Sequence, residues 1–234
     1  MIQVVPAILV QTLAEIETAL AKFNGVTSSV QIDVVDGVFA PNKTWPFAQG
    51  GQEELDKMLH NGRGSPLWKD FDVEIDLMVQ DVVKEAERWV QAGASRIVVH
   101  IKSSGAREAL LSYQHMRGEG GGRVLLGIAL QAHDSPDALL PFEGIYDFVQ
   151  VMGIDHEGFQ GEPPDPHHKA TELIKKIHAD FPSLPLSVDG GIRMENILKF
   201  VEAGANRLVV GSLILSREDV KQALREIIEE ANRR

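Results

Sequence analysis

The sequence contains no cysteine. That excludes disulfides, thiolate nucleophiles and cysteine-built metal sites, and it is compatible with the cytoplasmic location expected here. Positive charge is also in short supply: 23 Lys and Arg stand against 34 Asp and Glu, a formal net charge of −11. So acidic a chain is not organised around a nucleic acid or an anionic membrane. Small phosphorylated molecules stay open, because a local cradle of backbone N–H groups binds phosphate whatever the net charge. No apolar run approaches the roughly 18 residues of a membrane span. Residues 1–9 read as a strand and lack the charged start of a signal peptide. No linker-like shift in composition divides the chain, so a single domain over residues 1–234 is expected.

What is present is a repeat of strand and helix patterns. Strands are expected at 3–9, 30–34, 72–79, 96–101, 124–130, 147–154, 184–188 and 207–210. Helices are expected at 12–23, 53–60, 82–92, 105–116, 136–140, 169–180, 194–203 and 217–232. Asn61-Gly62 reads as a helix stop, the Gly-rich stretch 118–122 as the approach to the fifth strand, and Ser135 as a cap. Strictly alternating strands and helices predict a parallel α/β sheet, and eight repeats predict a closed (β/α)8 barrel. The 234 residues are close to the ~250 typical of that fold.

The chain is organised around residues 30–42, VQIDVVDGVFAPN. Val30, Ile32 and Val34 alternate with Gln31, Asp33 and Val35, and the strand ends in a turn at Gly37. A strand packed under helices needs a polar second face only where something is bound or done. The same parity turns Asp72, Glu74, Asp76 and Met78 inward on the third strand, His100 and Lys102 on the fourth, and Gln150 and Met152 on the sixth. Ser187 and Asp189 face inward on the seventh, and the fifth ends at Gln131. Gln31, Asp33, Asp76, His100, Lys102, Gln131 and Asp189 are thus expected to converge at the C-terminal mouth, where barrels of this kind do chemistry. Small residues follow the last three strands: Gly158-Phe159-Gln160-Gly161, then Gly190-Gly191, then Gly211-Ser212. They let backbone N–H groups close on an anion and mark a phosphate site.

Taken together these segments resemble the ribulose-phosphate 3-epimerase family. Its H-x-D-x-M-D-G-x-F-x-P-N is matched by Gln31 to Asn42, its H-L-M-V by Asp76-Leu77-Met78-Val79, and its G-F-G-G by Gly158 to Gly161. Its V-D-G-G-I is matched by Val188 to Ile192, its late G-S by Gly211-Ser212, and its opening P-S-I-L by Pro6-Ala7-Ile8-Leu9. The resemblance implies a TIM barrel of the ribulose-phosphate binding type and a homo-oligomer. It also implies an isomerase that epimerises a pentulose 5-phosphate, or a related ketose phosphate, at C3. Asp33 and Asp189 are then the acid–base pair on opposite faces of the sugar, working through an enediolate. Met78 and Met152 match methionines that line the reacting carbon's surroundings, and as residue types they serve equally as gap-filling core.

The departures fall in the reaction centre. The family holds a divalent metal with two His and two Asp, and here the His positions are Gln31 and Asp76. Ala7 stands for a Ser, as does Val10, Val35 for a Met, and His100-Ile101-Lys102 for H-x-E. A metal set of Gln31, Asp33, Asp76 and Asp189 offers only oxygen, which favours Mg²⁺ or Mn²⁺ over Zn²⁺; with no metal, Lys102 or His100 supplies the charge. Two other readings remain beside the epimerase: an aldol-type lyase using Lys102, and a non-catalytic sugar-phosphate-binding barrel.

Overall fold

In a computed structural model of the chain, eight parallel strands pair in sequence order and β8 pairs back with β1, closing a TIM barrel. The structure describes residues 1–61, 66–115, 123–164 and 168–233. The Gly62 helix stop, the helix end at Met116 and the Gly-rich stretch 118–122 lie outside the described residues. The strands are β1 (Gln3–Ile8), β2 (Ser29–Val35), β3 (Asp72–Met78), β4 (Arg96–His100), β5 (Leu125–Leu130), β6 (Phe148–Met152), β7 (Leu186–Asp189) and β8 (Arg207–Val210). The α-helices are α1 (Leu13–Phe23), α2 (Gly51–His60), α3 (Val82–Gln91), α4 (Ala106–Tyr113), α5 (Lys169–Asp180), α6 (Ile197–Ala203), α7 (Ser212–Leu215) and α8 (Val220–Ala231). Among the described residues no helix is long and apolar enough to cross a membrane.

The main apolar layer lies between barrel and helices. Val30, Ile32 and Val34 of β2 enter it beside Val73, Ile75 and Leu77 of β3. Each large side chain of this kind contributes about 1.5–3 kcal/mol when fully buried. α1 shows why a helix covers this surface. Thr12 accepts from Glu15 N–H, the Glu15 carboxylate accepts back from Thr12 N–H, and Ile16, Ala19, Leu20 and Phe23 form the buried stripe. At the seam, Asn232 Oδ1 accepts from Ile2 N–H at 2.8 Å, fastening the end of α8 to the start of β1.

Two expected helices differ. Ser135 does cap, but residues Pro136–Phe142 form a 3₁₀ helix containing Pro141, which has no N–H to extend an α-helix. The helix expected at 217–232 starts later, at Val220, where the Asp219 carboxylate accepts from Lys221 and Gln222 N–H, and a short helix that was not expected, α7, precedes it.

Inside the barrel, the floor and middle are closed. Val98, Ala129 and Phe148 pack together, as do Val5, Ala7 and Val209. Below them Glu74 is buried against Arg207, 2.5 Å away. Above this plug, register puts Asp33 beside Asp76, and Met152 beside Asp189. Inward parity has therefore become a ring of polar side chains under the C-terminal mouth.

Candidate active site

Three carboxylates meet at the mouth. Asp33 from β2, Asp76 from β3 and Asp189 from β7 are all buried, and each offers an oxygen within 4.8 Å of those of the other two. Amides and one imidazole wire them together. Gln31 Nε2 donates to Asp33 Oδ1 at 2.8 Å and to Asp189 Oδ2 at 2.7 Å. Gln150 Nε2 donates to Asp76 Oδ2 at 2.9 Å and reaches Asp189 Oδ2 at 3.3 Å. His100 Nε2 pairs with Asp76 Oδ1 at 2.8 Å, with the His100 ring edge-on to Phe39, centroids 4.9 Å apart.

The backbone beneath is pinned. The Thr44 hydroxyl donates to the Asp33 carbonyl and accepts from Val35 N–H, so the end of β2 cannot fray. The Asp36 carboxylate accepts from Val38, Phe39 and Gln80 N–H, tying the loop after β2 to the end of β3 and seating Phe39 over His100.

Charge is unevenly compensated. Burial, then the nearby charges of Asp189 and Asp76, push the Asp33 carboxyl well above the usual carboxylate range. Burial and the Asp76 charge raise Asp189 from an ordinary 3.8 to about 8, against the Gln31 hydrogen bond. For His100, burial disfavours the imidazolium, but the Asp76 charge and hydrogen bond, with Glu157 and Asp189, outweigh it and the imidazole is raised. A value of about 8 favours a proton on Asp189 at neutral pH, and the same neighbouring carboxylates bias His100 toward imidazolium.

Over this centre lies a cleft whose empty space, with the open solvent at its mouth included, is about 530 Å³. Asp33, Asp189, Met78 and Met152 form its inner wall. Gly158, Phe159, Gln160 and Gly161 meet Gly190, Gly191, Gly211 and Ser212 at its other end. Gly191 has φ +64, and a Cβ there would stand 2.5 Å from the Gly153 carbonyl oxygen, so only glycine fits the turn. Gln31 and Asp76, both fully buried, sit beneath the cleft.

Two expected members are absent from the centre. Lys102 lies past the end of β4 and is exposed, because the strand stops at His100 and the chain turns there, ending the two-residue alternation. Gln131 is half-buried beyond β5, its N–H held by Asp134. Sequence reasoning left three residues unweighted. Gln150 had the right parity; Glu157, nine-tenths buried with Oε1 unpartnered, and Arg193 lie on irregular loops where periodicity says nothing.

Comparison with known proteins places this geometry. The model of the ribulose-phosphate 3 epimerase family matches residues 3–215. The chain belongs to the ribulose-phosphate 3-epimerase family. It is 27% identical to the ribulose-phosphate 3-epimerase of Schizosaccharomyces pombe, over 98% of this chain and 95% of the relative. The ribulose-phosphate 3-epimerase of Bacillus subtilis is also 27% identical, over 97% and 98%. Among solved structures, a crystal structure of KGPDC from Streptococcus mutans aligns with a TM-score of 0.69 at 15% identity, over 98% of this chain and 97% of that one. A 3-hexulose-6-phosphate synthase from Salmonella typhimurium aligns at 0.67 and 17%, covering 98% of both. These likenesses in structure concern the fold. Against the family pattern, this epimerase-family chain has Gln31 and Asp76 where two metal-binding His are expected, and the acids are bridged by amide N–H groups and His100.

The donor set is all oxygen: three carboxylates and Gln31, whose Oε1 is buried without a hydrogen-bond partner. A half-turn of that amide exchanges Oε1 for Nε2 and faces oxygen to the acids. Such donors fit a hard divalent cation.

Proposed function

We propose that this protein epimerises a pentulose 5-phosphate, or a related ketose phosphate, at C3 by acid–base catalysis between Asp33 and Asp189. The observation that carries the reading is the Gln31 amide, which holds one oxygen of each carboxyl, 2.8 and 2.7 Å away, at the inner wall of the cleft. Inversion needs a base on one face of the carbon and an acid on the other. Two raised carboxyls sharing a proton supply that pair, one ionised and one protonated.

The phosphate sits against Gly158, Gly161, Gly190, Gly191, Gly211 and Ser212, with Phe159 and Gln160 at the rim. This anchors the sugar and leaves C3 between the acids, beside Met78 and Met152. The ionised carboxylate takes the C3 proton. The C3–H electron pair forms the C2–C3 double bond and the π pair of the C2 carbonyl moves onto its oxygen, giving the enediolate. The protonated partner returns a proton to the opposite face, and the two acids exchange protonation states. Gln31, Asp33, Asp76 and Asp189 would hold Mg²⁺ or Mn²⁺, and such an ion would supply positive charge to offset the charge that develops on the substrate. Without a metal, His100, fixed by Asp76, and the Gln31 and Gln150 amides are the donors around the same centre.

The lyase alternative loses its nucleophile, since Lys102 is exposed and outside the cleft. Conversion of D-ribulose 5-phosphate to D-xylulose 5-phosphate, assayed with EDTA and with added Mg²⁺ or Mn²⁺, tests the proposal. Turnover in any arm supports it, and none in all three contradicts it. Elemental analysis of protein purified without added metal tests the donor set: one tightly held zinc per chain would contradict it.

A further inference from the structure

Arg193 follows the Gly190-Gly191-Ile192 turn and lines the phosphate end of the cleft. Among the described residues it is the only Lys or Arg that does so, in a wall that also carries Asp33, Asp189 and Glu162. Its guanidinium is committed across two loops. Nη1 donates to the Ile192 carbonyl at 2.9 Å, and Nη2 donates to the carbonyls of Gly161 at 3.3 Å and Glu162 at 3.0 Å. The root of the side chain is fixed as well: Asn196 Oδ1 accepts from Arg193 N–H at 2.8 Å, and Asn196 Nδ2 donates to the Gly191 carbonyl at 2.8 Å. A guanidinium carries five N–H donors. Nε–H and the second Nη1–H have no partner among the described residues.

We propose that Arg193 is the anion-selecting residue of this cleft. It fastens the loop after β6 to the loop after β7, and its charge and remaining donors select a phosphorylated ligand over a neutral sugar. The proposal deepens the sugar-phosphate reading above and rests on it. The phosphate end otherwise offers glycines, the Gln160 amide and the Ser212 hydroxyl, and among the described residues no second cationic side chain lines the cleft to hold a dianion close to Asp33 and Asp189. A planar fork does both tasks at once: three donors close the loops and the charge faces the ligand. A residue that only stapled the loops would need the fork and not the charge.

Two variants separate these roles. Arg193→Gln removes the charge and keeps an amide donor for a loop carbonyl. Arg193→Lys keeps the charge and loses the planar fork. The probe is inorganic phosphate, titrated calorimetrically into the full chain, with melting temperature as the check on folding. Arg193→Gln is expected to weaken phosphate binding roughly tenfold or more, and Arg193→Lys distinctly less. Binding by Arg193→Gln at the level of the parent protein would overturn the proposal. So would binding by Arg193→Lys no tighter than by Arg193→Gln, which marks a staple without charge selection. Failure of the parent to bind phosphate at about 10 mM, a Kd weaker than any useful anion site, would overturn it together with the phosphate cradle. Phosphate binding that is lost in Arg193→Gln, in a protein that does not convert ribulose 5-phosphate, would leave Arg193 its role and sink the epimerase reading alone.

Discussion

At the floor of the barrel Glu74 is fully buried with Arg207 at 2.5 Å and Arg96 at 3.9 Å. At the mouth Asp33, Asp76 and Asp189 are buried with one imidazole and two amides. The floor has two guanidinium groups for one carboxylate, and that pairing holds strand ends together. The mouth has three carboxyls for one imidazole and two amides, and there burial and neighbouring charge raise the proton affinity of Asp33 and Asp189 instead. Uncompensated acid is costly for folding, and its presence where the cleft opens is the feature on which the proposed acid–base role rests.

Asparagine at Asp33 or Asp189 should break this contrast most sharply. Loss of a positioned acid or base typically costs about 10²–10⁴ in rate. Epimerase turnover is expected to fall by that factor in either variant. Thermal stability should hold or rise, because a poorly compensated acid has been removed. A large fall in melting temperature would mean that the mouth is structural after all.

The floor should respond in the opposite sense. Glu74→Gln leaves Arg207 buried without its counter-charge, and breaking such a pair costs about 3–5 kcal/mol. Urea unfolding is expected to show that loss, while any activity left in folded protein stays near that of the parent.

Stability against pH sharpens the comparison further. Asp33 and Asp189 have folded pKa values above their unfolded ones, so the folded state holds more protons and stability falls as pH rises. For Asp189 the window runs from an ordinary 3.8 to about 8. His100, also raised, acts in the same direction: its contribution is complete below the unfolded value of 6.5 and is lost as pH rises through the folded one. Denaturation with EDTA present should therefore show stability declining from about pH 5 to about pH 8, with a flatter slope in Asp189→Asn. An unchanged slope would mean that Asp189 is not the acid being titrated.

The polar ring was legible because a strand repeats every two residues. Once Val30, Ile32 and Val34 were placed outward, Gln31 and Asp33 had to face in, and the same logic carried Asp76, His100 and Asp189. It failed at Lys102, where parity was extended two residues past the end of β4. The wiring was not legible at all. That Gln150 reaches Asp76, 74 residues away in sequence, depends on how the strands are staggered around the barrel, which no local pattern encodes. Arg193 and Glu157 escaped for a related reason, since loops carry no period to read.

The smallest effects lie at the rim. A Cβ at Gly211 would stand 3.1 Å from Gln160 Nε2, so Gly211→Val should crowd the phosphate end and weaken sugar-phosphate binding roughly tenfold by calorimetry. Lys102→Ala should change stability by no more than about 0.5 kcal/mol and leave turnover as it was. A loss of turnover there would return Lys102 to the centre.

The direct test is exchange at C3. D-Ribulose 5-phosphate is incubated with the protein in D₂O, with EDTA and with Mg²⁺ or Mn²⁺, and the C3 proton is followed by NMR. The parent protein is expected to replace that proton with deuterium as D-xylulose 5-phosphate appears; Asp33→Asn and Asp189→Asn are both expected to lose xylulose formation, and the variant that removes the abstracting base to lose exchange as well. Retention of the C3 proton in every arm with the parent protein, or full exchange in both variants, would contradict the assignment of these two acids.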